Sequence, residues 1–374
     1  MILPVLTIFI LSVVAYFLIG SILTRAMQRK TPPVNDSDPF VSVIIAAKDE
    51  ADNLYPCLQS VLEQEYPQEK LEILVVNDDS GDGTERILQS FNRHHANFRY
   101  INLDASSKLL PGKAGAILPA IEQAKGEIIC LTDADCRVAP GWIKGLVRHF
   151  DEKTGLVGGF TLLDSGKKRS SLFGKVQSLD WLFLLGIACG SSLMGKPLSW
   201  VGNNLAFRKK AYDEIGGFKH FENSLIEDFS LINAIANKTH WQIKFLAEPD
   251  TLVRSLPLSS LRRLYNQRKR WATGIKNMSF FGKLVMVTSF VAHLWLLPVL
   301  FVLPPIFAVI GLFVLFLTDF NLVLTAAKKV NRIDLLAYFI GFELFYLSYS
   351  ILLPFLILFD QKIEWKNRVY NKNS

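Results

Sequence analysis

Acidic side chains occur in pairs through the middle of this chain, and paired carboxylates suit cation and proton chemistry. Asp133 and Asp135 follow an apolar run, and an extended backbone at this spacing places both carboxylates on one side. Two convergent carboxylates suit a hard divalent cation that also holds a diphosphate. A polar turn with an Asx cap explains the same residues, and on this motif alone we favour the turn.

Two further acidic pairs can also be interpreted either as functional residues or as residues of a turn or helix cap. Asp78 and Asp79 follow an apolar run and are candidates to recognise a nucleotide base or ribose, although a turn that caps the next helix is the commoner role. Glu227 and Asp228 precede an apolar helical pattern. Asp228 is a candidate general base for a hydroxyl group, and ordinary capping of a helix start is the alternative.

Basic residues provide candidate contacts for phosphate. Lys113 follows Gly112 at a predicted helix start, where a cation and helix-terminal amides suit phosphate, although a solvated lysine is nearly as plausible. The segment Gln267–Trp271 ends a basic stretch with apolar residues at helical spacing, which indicates an interfacial helix on anionic lipid. That role is compatible with a contact between Arg270 and a diphosphate.

These residues fall between strands and helices that alternate along the chain. The predicted strands are Val41–Ala47, Leu71–Val76, Phe98–Asn102 and Glu127–Leu131. Helical patterns follow most of them, for example at Glu85–Phe91 and Ala114–Lys125. This alternation predicts an α/β fold with a mostly parallel sheet. Ligands bind at the carboxyl ends of such strands, and the acidic pairs fall there.

The composition indicates that only part of the chain is soluble. Half of the residues are hydrophobic and 20% are charged, and the mean hydropathy is +0.25. Soluble domains average about 25% charged residues, so the apolar excess must be concentrated in membrane segments. Global disorder is excluded by the same apolar content. Four sparse cysteines without a CxxC pair exclude a disulfide framework and indicate small core residues.

The apolar excess lies at the two ends. Ile2–Leu23 is long enough for one span, and the basic residues that follow it predict an uncleaved anchor with the next domain cytoplasmic. Leu284–Thr318, broken by prolines, suits two short spans, and Leu335–Phe359 suits one more. Basic segments lie before and after Leu335–Phe359. Both segments can be cytoplasmic only if Leu335–Phe359 enters and leaves the membrane on the same side. Trp181–Met194 is short for a span and predicts a buried or interfacial helix.

We therefore predict four regions. Residues 1–24 form a transmembrane anchor, and residues 25–280 form a cytoplasmic α/β domain with interfacial helices. Residues 281–360 contain two or three transmembrane segments, and residues 361–374 form a basic tail. The net charge of +7 lies largely in the Arg262–Arg270 helix and beside the membrane segments, where lipid phosphate and a phosphate-bearing substrate are suitable counter-ions.

The order of the motifs resembles the membrane-bound members of glycosyltransferase family 2, which have a GT-A fold. The resemblance covers about Val41 to Trp271. It is carried by VSVIIAAKDEADNL at Val41–Leu54, VVNDDSGDGT at Val75–Thr84, GKAGA at Gly112–Ala116, Asp133–Asp135, GNNLAF at Gly202–Phe207, Glu227-Asp228 and QRKRW at Gln267–Trp271. Two positions depart from the usual pattern, because Asn77 replaces a frequent Asp and Asp79 stands where Gly is common.

The resemblance implies a role for each candidate residue. Asp78 corresponds to the contact with the nucleotide base, and Asp135 to the direct ligand of Mg²⁺ or Mn²⁺. Asp228 corresponds to the catalytic base. The donor diphosphate would meet Lys113, Asp133, Gln267 and Arg270, and the acceptor would meet Glu227 and Trp271.

The resemblance implies an inverting hexosyl- or N-acetylhexosaminyltransferase of a bacterial plasma membrane. The donor is a nucleotide-diphosphate sugar, with UDP the commonest base, and the acceptor is a hydroxyl of a membrane lipid or lipid-linked glycan. The alternative is a processive synthase that extends a poly-N-acetylhexosamine or similar glycan. We favour the lipid acceptor, since few spans are predicted and the tail Ile363–Tyr370 resembles the WKGR-type tail of transferases with hydrophobic acceptors. We reject an inactive binding protein, because the acidic motifs are intact, and a nucleic-acid partner, because no such motif occurs.

Overall fold

Two units divide the chain, and neither is continuous in sequence. The computed structural model describes residues 2–104, 106, 108–164, 171–198, 202–220, 226–359, 362–365 and 368–371, with side-chain surroundings through residue 358. The α/β unit comprises Lys30–Ser165 and Ser199–Leu256. The helical unit comprises Met1–Arg29, Gly166–Leu198 and Pro257–Ser374. The predicted α/β domain, residues 25–280, also includes residues 25–29, 166–198 and 257–280 of the helical unit.

The α/β unit contains ten strands and six helices within its described residues. The strands are β1 Val41–Ala47, β2 Leu71–Asp78, β3 Phe98–Leu103, β4 Ile128–Asp133, β5 Arg137–Val138, β6 Thr154–Gly159, β7 Thr161–Leu163, β8 Leu205–Arg208, β9 Gln242–Leu246 and β10 Val253–Ser255. The helices are α2 Ala51–Leu62, α3 Thr84–His94, α4 Gly112–Gln123, α5 Trp142–Val147, α7 Lys209–Glu214 and α8 Glu227–Lys238. Here α1 and α6 denote Ile2–Met27 and Leu172–Leu193 of the helical unit.

The main sheet has seven strands in the order β3-β2-β1-β4-β8-β6-β9. Only β8 runs antiparallel to its neighbours, β4 and β6. The predicted α/β fold with a mostly parallel sheet is therefore confirmed. A second sheet has three strands in the order β5-β10-β7.

Continuous apolar runs produce the central strands of this sheet. Every residue of β2 is buried, and β1 is buried at all but one position. Such runs suit parallel strands that are covered on both faces. On α2, Leu54, Leu58 and Val61 recur at helical spacing and are fully buried against this core. Helices α2 and α3 therefore share one apolar core with β1 and β2.

The helical unit contains α1, α6 and five further helices within its described residues. These are α9 Leu261–Ala272, α10 Phe280–Leu294, α11 Leu296–Val302, α12 Pro305–Lys329 and α13 Phe339–Phe359. Short 3₁₀ turns lie at Thr273–Asn277 and Ile333–Tyr338. A two-stranded hairpin, β11 Lys362–Trp365 with β12 Arg368–Asn371, follows α13. It contains part of the predicted WKGR-type tail, whose side chains lie outside the described residues.

Helices α1 and α12 pack closely and run parallel. The ring of Phe9 lies against Gly311, where an added Cβ would approach Phe9 Cζ to 2.3 Å. Seven residues further along α1, the Tyr16 hydroxyl donates a hydrogen bond to the Asp319 carboxylate. Because both positions advance together along the two helices, their C-terminal ends lie on the same side of the unit.

Helix α6 is buried within the helical unit. It has 22 residues, and the side chain of its N-cap Ser171 accepts the backbone N–H of Gly174 at 3.1 Å. The sequence predicted a shorter helix, because the polar residues of its first half interrupt the apolar pattern. These residues face inward: Gln177 donates to the carbonyl of Leu258 at 2.9 Å, and buried Asp180 pairs with Arg268.

Five helical segments are long and apolar enough to cross a membrane. They are Ile2–Met27, Leu172–Leu193, Phe280–Val302, Pro305–Lys329 and Ile333–Leu358. The sequence analysis counted three or four, and the difference is the extended α6. Pro304 and Pro305 lie at the turn between α11 and α12, where the sequence placed a break. The four cysteines are buried and form no disulfide, as predicted for core residues.

Candidate functional site

The carboxyl ends of β1, β2 and β4 meet at one edge of the main sheet. Asp78 is the last residue of β2, and Asp133 is the last residue of β4. Strand β1 lies between them, with Ala46 level with both Val76 and Asp133. Adjacent strands are about 4.8 Å apart, so Asp78 and Asp133 lie on strands separated by roughly 10 Å. The sequence placed both residues in turns, whereas each one ends its strand.

Lys113 is the centre of the acidic cluster at this edge. Its Nζ lies 2.5 Å from Asp133 Oδ1 and 3.8 Å from Glu227 Oε1. It also donates to the carbonyl of Gly202 at 3.5 Å. The lysine lies in the first turn of α4, Asp133 ends β4, and Glu227 begins α8. One side chain therefore joins three elements that are far apart in sequence.

The acidic neighbours of Lys113 keep its ammonium group protonated. Burial lowers the pKa of this ammonium group, but the Asp133 and Glu227 carboxylates more than offset burial. The net effect raises the pKa of Lys113 above its ordinary value. Lys113 is thus a fixed cation at neutral pH. It adds a positive charge to the carboxyl edge of the sheet.

Asp228 is held by the segment that precedes β8. Its Oδ2 accepts the backbone N–H of Gly202 at 2.6 Å, and its Oδ1 accepts the N–H of Phe229 at 2.7 Å. The carboxylate lies in the first turn of α8, where the helix dipole favours a negative charge. A Cβ on Gly202 would lie 2.7 Å from Asp228 Cβ. Glycine is therefore required for this close approach.

Asp135 lies beside Asp133 and Cys136 in a group that has the ligand geometry for a cation. One ligand atom from each residue lies within 4.8 Å of the others. Burial and the nearby carboxylates raise the pKa of the Cys136 thiol, so this sulfur stays protonated. The donor set is thus two partly exposed carboxylates, which suits Mg²⁺ or Mn²⁺ and leaves further positions for diphosphate oxygens. The residues present fit the predicted metal.

Asp78 is paired with a lysine that the sequence analysis did not select. The Lys108 ammonium forms an ion pair with Asp78 Oδ1, and both side chains are largely buried. Lys48 donates to the carbonyls of Asp78 and Asp79 at 3.0 Å. Asp79 has φ of +55°, in the left-handed region, which gives a physical reason why this position suits Gly. The turn after β2 is thus fixed by lysines from two loops.

The remaining predicted residues belong to α9 of the helical unit. The ring of Trp271 lies 5.4 Å from that of Trp181, and Arg268 lies 4.3 Å above the Trp271 ring. Arg268 is 6% exposed and pairs with Asp180, which is 1% exposed. The Gln267 side-chain oxygen is buried and has no hydrogen-bond partner among the described residues. Arg270 follows one turn later at the end of the helix.

The structure therefore brings some predicted residues together and adds others. Lys113, Asp133, Glu227 and Asp228 form one cluster of the α/β unit, with Asp135 next to Asp133, and Asp78 lies two strands away. The sequence analysis missed Lys108, Gly202 and Arg268 as individual residues. Gly202 and Arg268 lie inside the recognised GNNLAF and QRKRW motifs, which was an available signal, whereas Lys108 lies in a loop without one.

Comparison with known proteins identifies this architecture. A mannosyltransferase from Pyrobaculum calidifontis, solved with GDP-mannose and Mn²⁺, is 21% identical to this chain with a TM-score of 0.60. The match covers 96% of this chain and 99% of that one. This likeness confirms a GT-A fold. The profile described as Glycosyl transferase family 21, a group akin to family 2, matches residues 5–374. The chain belongs to glycosyl transferase family 21, which confirms the resemblance drawn from the motifs.

Relatives of known function are similar over a part of their length. Poly-beta-1,6-N-acetyl-D-glucosamine synthase of Staphylococcus epidermidis is 28% identical over 235 residues, covering 63% of this chain and 54% of the relative. The synthase of the same name from Staphylococcus aureus is 28% identical over 270 residues, covering 69% and 62%. The chain thus spans less than two thirds of the length of these relatives.

Proposed function

We propose that this protein is an inverting, metal-dependent glycosyltransferase that uses a nucleotide-diphosphate sugar, with UDP as the nucleotide. The sugar is a hexose or N-acetylhexosamine, and the acceptor is a hydroxyl of a membrane lipid or lipid-linked glycan. One observation carries the proposal. Lys113 joins Asp133 of the Asp-x-Asp motif to Glu227, beside Asp228, at the carboxyl edge of the sheet.

The donor half of the reaction needs a site for the base and positive charge for the diphosphate. Asp78 is assigned to the base, with Lys108 orienting its carboxylate. Lys113 supplies a fixed cation, and Gln267 and Arg270 of α9 are assigned to the same diphosphate. A divalent cation on Asp135, aided by Asp133, would neutralise charge that develops on the leaving diphosphate. Such charge stabilisation lowers the barrier most in a site that excludes water.

The acceptor half of the reaction needs a base that faces the hydroxyl group. Asp228 is assigned this role, and two backbone N–H groups fix the orientation of its carboxylate. It takes the hydroxyl proton while the acceptor oxygen attacks the anomeric carbon and the diphosphate leaves from the opposite face. This single displacement inverts the configuration. Glu227 and Trp271 are assigned to the acceptor.

The first test removes the base. Asp228→Asn keeps the side-chain size and should retain donor binding while transfer falls by about 10²–10⁴-fold. Turnover is measured as released nucleotide diphosphate, and donor binding by calorimetry with UDP-N-acetylglucosamine. Asp213→Asn, at an exposed carboxylate of α7, is the matched control. An Asp228→Asn variant that turns over like the wild type would remove Asp228 from this role.

The second test addresses the metal. Asp135→Ala should abolish the Mn²⁺-dependent part of donor binding, because it removes a hard oxygen ligand. Calorimetry with and without EDTA measures this part directly, and Asp213→Ala should behave as the wild type. Equal donor affinity of Asp135→Ala and the wild type, both unchanged by EDTA, would show that the motif binds no metal.

A second candidate function is processive synthesis of a poly-N-acetylhexosamine. The named activity of the two staphylococcal relatives favours it. Membranes incubated with radiolabelled UDP-N-acetylglucosamine distinguish the candidates by product length on a gel. A ladder supports the synthase, and one discrete lipid-soluble product supports single transfer.

We propose that the α/β unit is cytoplasmic, and the connectivity of the chain supports this orientation. Strand β8 follows α6 in the chain, yet it pairs with β4 and β6, which both precede α6. If α6 crossed the membrane, β8 would lie on the opposite side from β4 and β6, although all three belong to one sheet. We therefore assign both ends of α6 to the same side of the membrane. Basic residues after α1 favour the cytoplasm for that side.

The tail is assigned to the same side. Helix α9 follows the α/β unit directly, and the Tyr265 hydroxyl of α9 donates to the carbonyl of Leu356 near the end of α13 at 3.4 Å. Strand β11 also lies beside α9. The parallel packing of α1 and α12 supports the same side for the start of α13. We therefore assign the crossings to α1, α10 with α11, and α12, and we assign no crossing to α13, because its two ends are assigned to the same side.

A further inference from the structure

A polar groove lies between α1 and α12 of the helical unit. Its volume is about 330 Å³, and every lining residue is polar. The lining residues are Ser21, Thr24, Arg25, Gln28, Thr318, Asn321 and Thr325. Polar side chains are costly in a membrane segment and tend to mark sites with a function. We refer to these seven residues as the polar groove.

The groove is built from matching faces of the two helices. On α1 its residues recur at steps of three and four, and on α12 at positions 318, 321 and 325. Helical periodicity therefore directs both sets to the same opening. The hydroxyls of Thr318 and Thr325 donate to carbonyls of their own helix at 2.7 and 2.8 Å. Their oxygens remain available as acceptors for a ligand or its bridging waters.

Thr24 is an independent indication that something binds here. Its side chain is 8% exposed, and its hydroxyl oxygen has no hydrogen-bond partner among the described residues. A buried hydroxyl without a hydrogen-bond partner destabilises the protein. The oxygen is closed to solvent in this conformation, so the Thr24 side chain must rotate toward the groove before it can donate to a ligand there; such a contact would remove this destabilisation.

Arg25 determines the charge of the ligand. Its side chain is exposed in the groove, and no ion pair to it occurs within the described part of the chain. The nearby carboxylate of Asp319 is 1% exposed, accepts the Tyr16 hydroxyl and does not line the groove. A guanidinium among hydroxyls and amides suits a phosphate group.

The position of the groove indicates the source of the phosphate. Arg25 lies in the last turn of α1, and the parallel α12 ends one turn beyond the groove with Lys328 and Lys329. Basic residues at the end of a membrane helix mark the headgroup level of the leaflet. Basic pockets between membrane helices at this depth are typical sites for anionic lipid headgroups.

We propose that the polar groove binds the phosphate of an anionic membrane lipid. Arg25 pairs with the phosphate charge, Thr24 donates to a phosphate oxygen, and Gln28 and Asn321 contact the rest of the headgroup. The acyl chains lie along the exposed apolar surface of α1. This site is separate from the residues assigned to the donor and acceptor sugars.

The experiment measures thermal unfolding of the purified full chain in neutral detergent. Phosphatidylglycerol should raise the unfolding temperature, whereas phosphatidylcholine and inorganic phosphate should raise it far less. Arg25→Gln should weaken the apparent affinity for phosphatidylglycerol about tenfold or more, since charge-assisted hydrogen bonds are lost. Lys328→Gln removes an equal charge just outside the groove and should retain most of the affinity.

A second variant separates binding from folding. Thr24→Val keeps the side-chain shape and removes a hydroxyl that is unpartnered without ligand. It should leave the lipid-free protein as stable as the wild type or more so, yet weaken phosphatidylglycerol binding. Equal affinity of the wild type, Arg25→Gln and Thr24→Val would overturn the site. Equal losses in Arg25→Gln and Lys328→Gln would show a general charge effect, and equal stabilisation by inorganic phosphate would exclude a lipid ligand; either result overturns the proposal.

Discussion

A single lysine organises the candidate site at the scale of residues. Lys113 contacts Asp133 and Glu227 and reaches the carbonyl of Gly202, whose N–H in turn holds Asp228. The charge and the orientation of four groups are therefore coupled. A change at one of them should affect the others, as expected for a connected polar network.

Gly202 offers a direct test of this coupling. In Gly202→Ala the new Cβ would meet Asp228 Cβ at 2.7 Å, so the carboxylate must move. A displacement of about 1 Å is expected to lower kcat/KM about 10²-fold with little loss of stability. Gly81→Ala, where nothing lies within 4 Å of an added Cβ, is the control and should retain activity. Wild-type kcat/KM in Gly202→Ala would show that this contact does not position the base.

Asp180 and Arg268 provide a second prediction at this scale. Both are buried, and Arg268 also lies over the Trp271 ring. Asp180→Ala leaves a buried guanidinium without its partner, which should cost about 3–5 kcal/mol of stability. Thermal unfolding in detergent measures the loss. The double variant Asp180→Leu with Arg268→Met removes both charges and should recover most of it; no recovery would mean that the pair is not the cause.

The sequence predicted residues with a recognisable motif better than residues defined by contacts. Asp133, Asp135 and Asp228 could be selected because their spacing and neighbours suit a known chemistry. Lys108 could not, because an isolated loop lysine carries no local signal of its pairing with Asp78. The importance of Gly202 likewise depends on a helix that starts 25 residues later, and only the fold reveals that distance.

At the scale of elements, the strands of the α/β unit were the most predictable feature. Their apolar runs are short and continuous, and turn residues bound them. The ends were less certain, since β2 and β4 extend to Asp78 and Asp133 where polarity predicted turns. Helix α6 was predicted too short for the same reason. From the sequence alone, Gln177 and Asp180 are expected on the surface, because only the structure shows the partners that they contact inside the unit.

Membrane helices were predicted from hydropathy, but their packing was not. The parallel contact of α1 with α12 joins segments that are about 300 residues apart in sequence. Pairing of this kind depends on small residues such as Gly20 and Gly311, which allow close approach. A hydropathy profile contains no information on such pairs.

At the scale of the whole molecule, the proposed orientation can be tested by cysteine labelling. The four native cysteines are buried, so they give a low background. Single cysteines replace Lys30, Pro304 and Ser374, and intact cells are treated with a membrane-impermeant maleimide. Only the position at Pro304 should react before the cells are opened. Reaction at Ser374 in intact cells would instead require α13 to cross the membrane.

The place of β8 in the main sheet has a consequence for how the protein is made. Strands β1 to β4 leave the ribosome early, but β8, which covers the edge of β4, is synthesised about 70 residues later. During that interval an open strand edge is exposed, and such edges promote aggregation. The intervening α6 emerges in the same period and must find α1 at the membrane. During synthesis the open edge of β4 and the unpacked α6 are therefore present at the same time. We expect newly made chains to depend on chaperones until β8 has paired with β4.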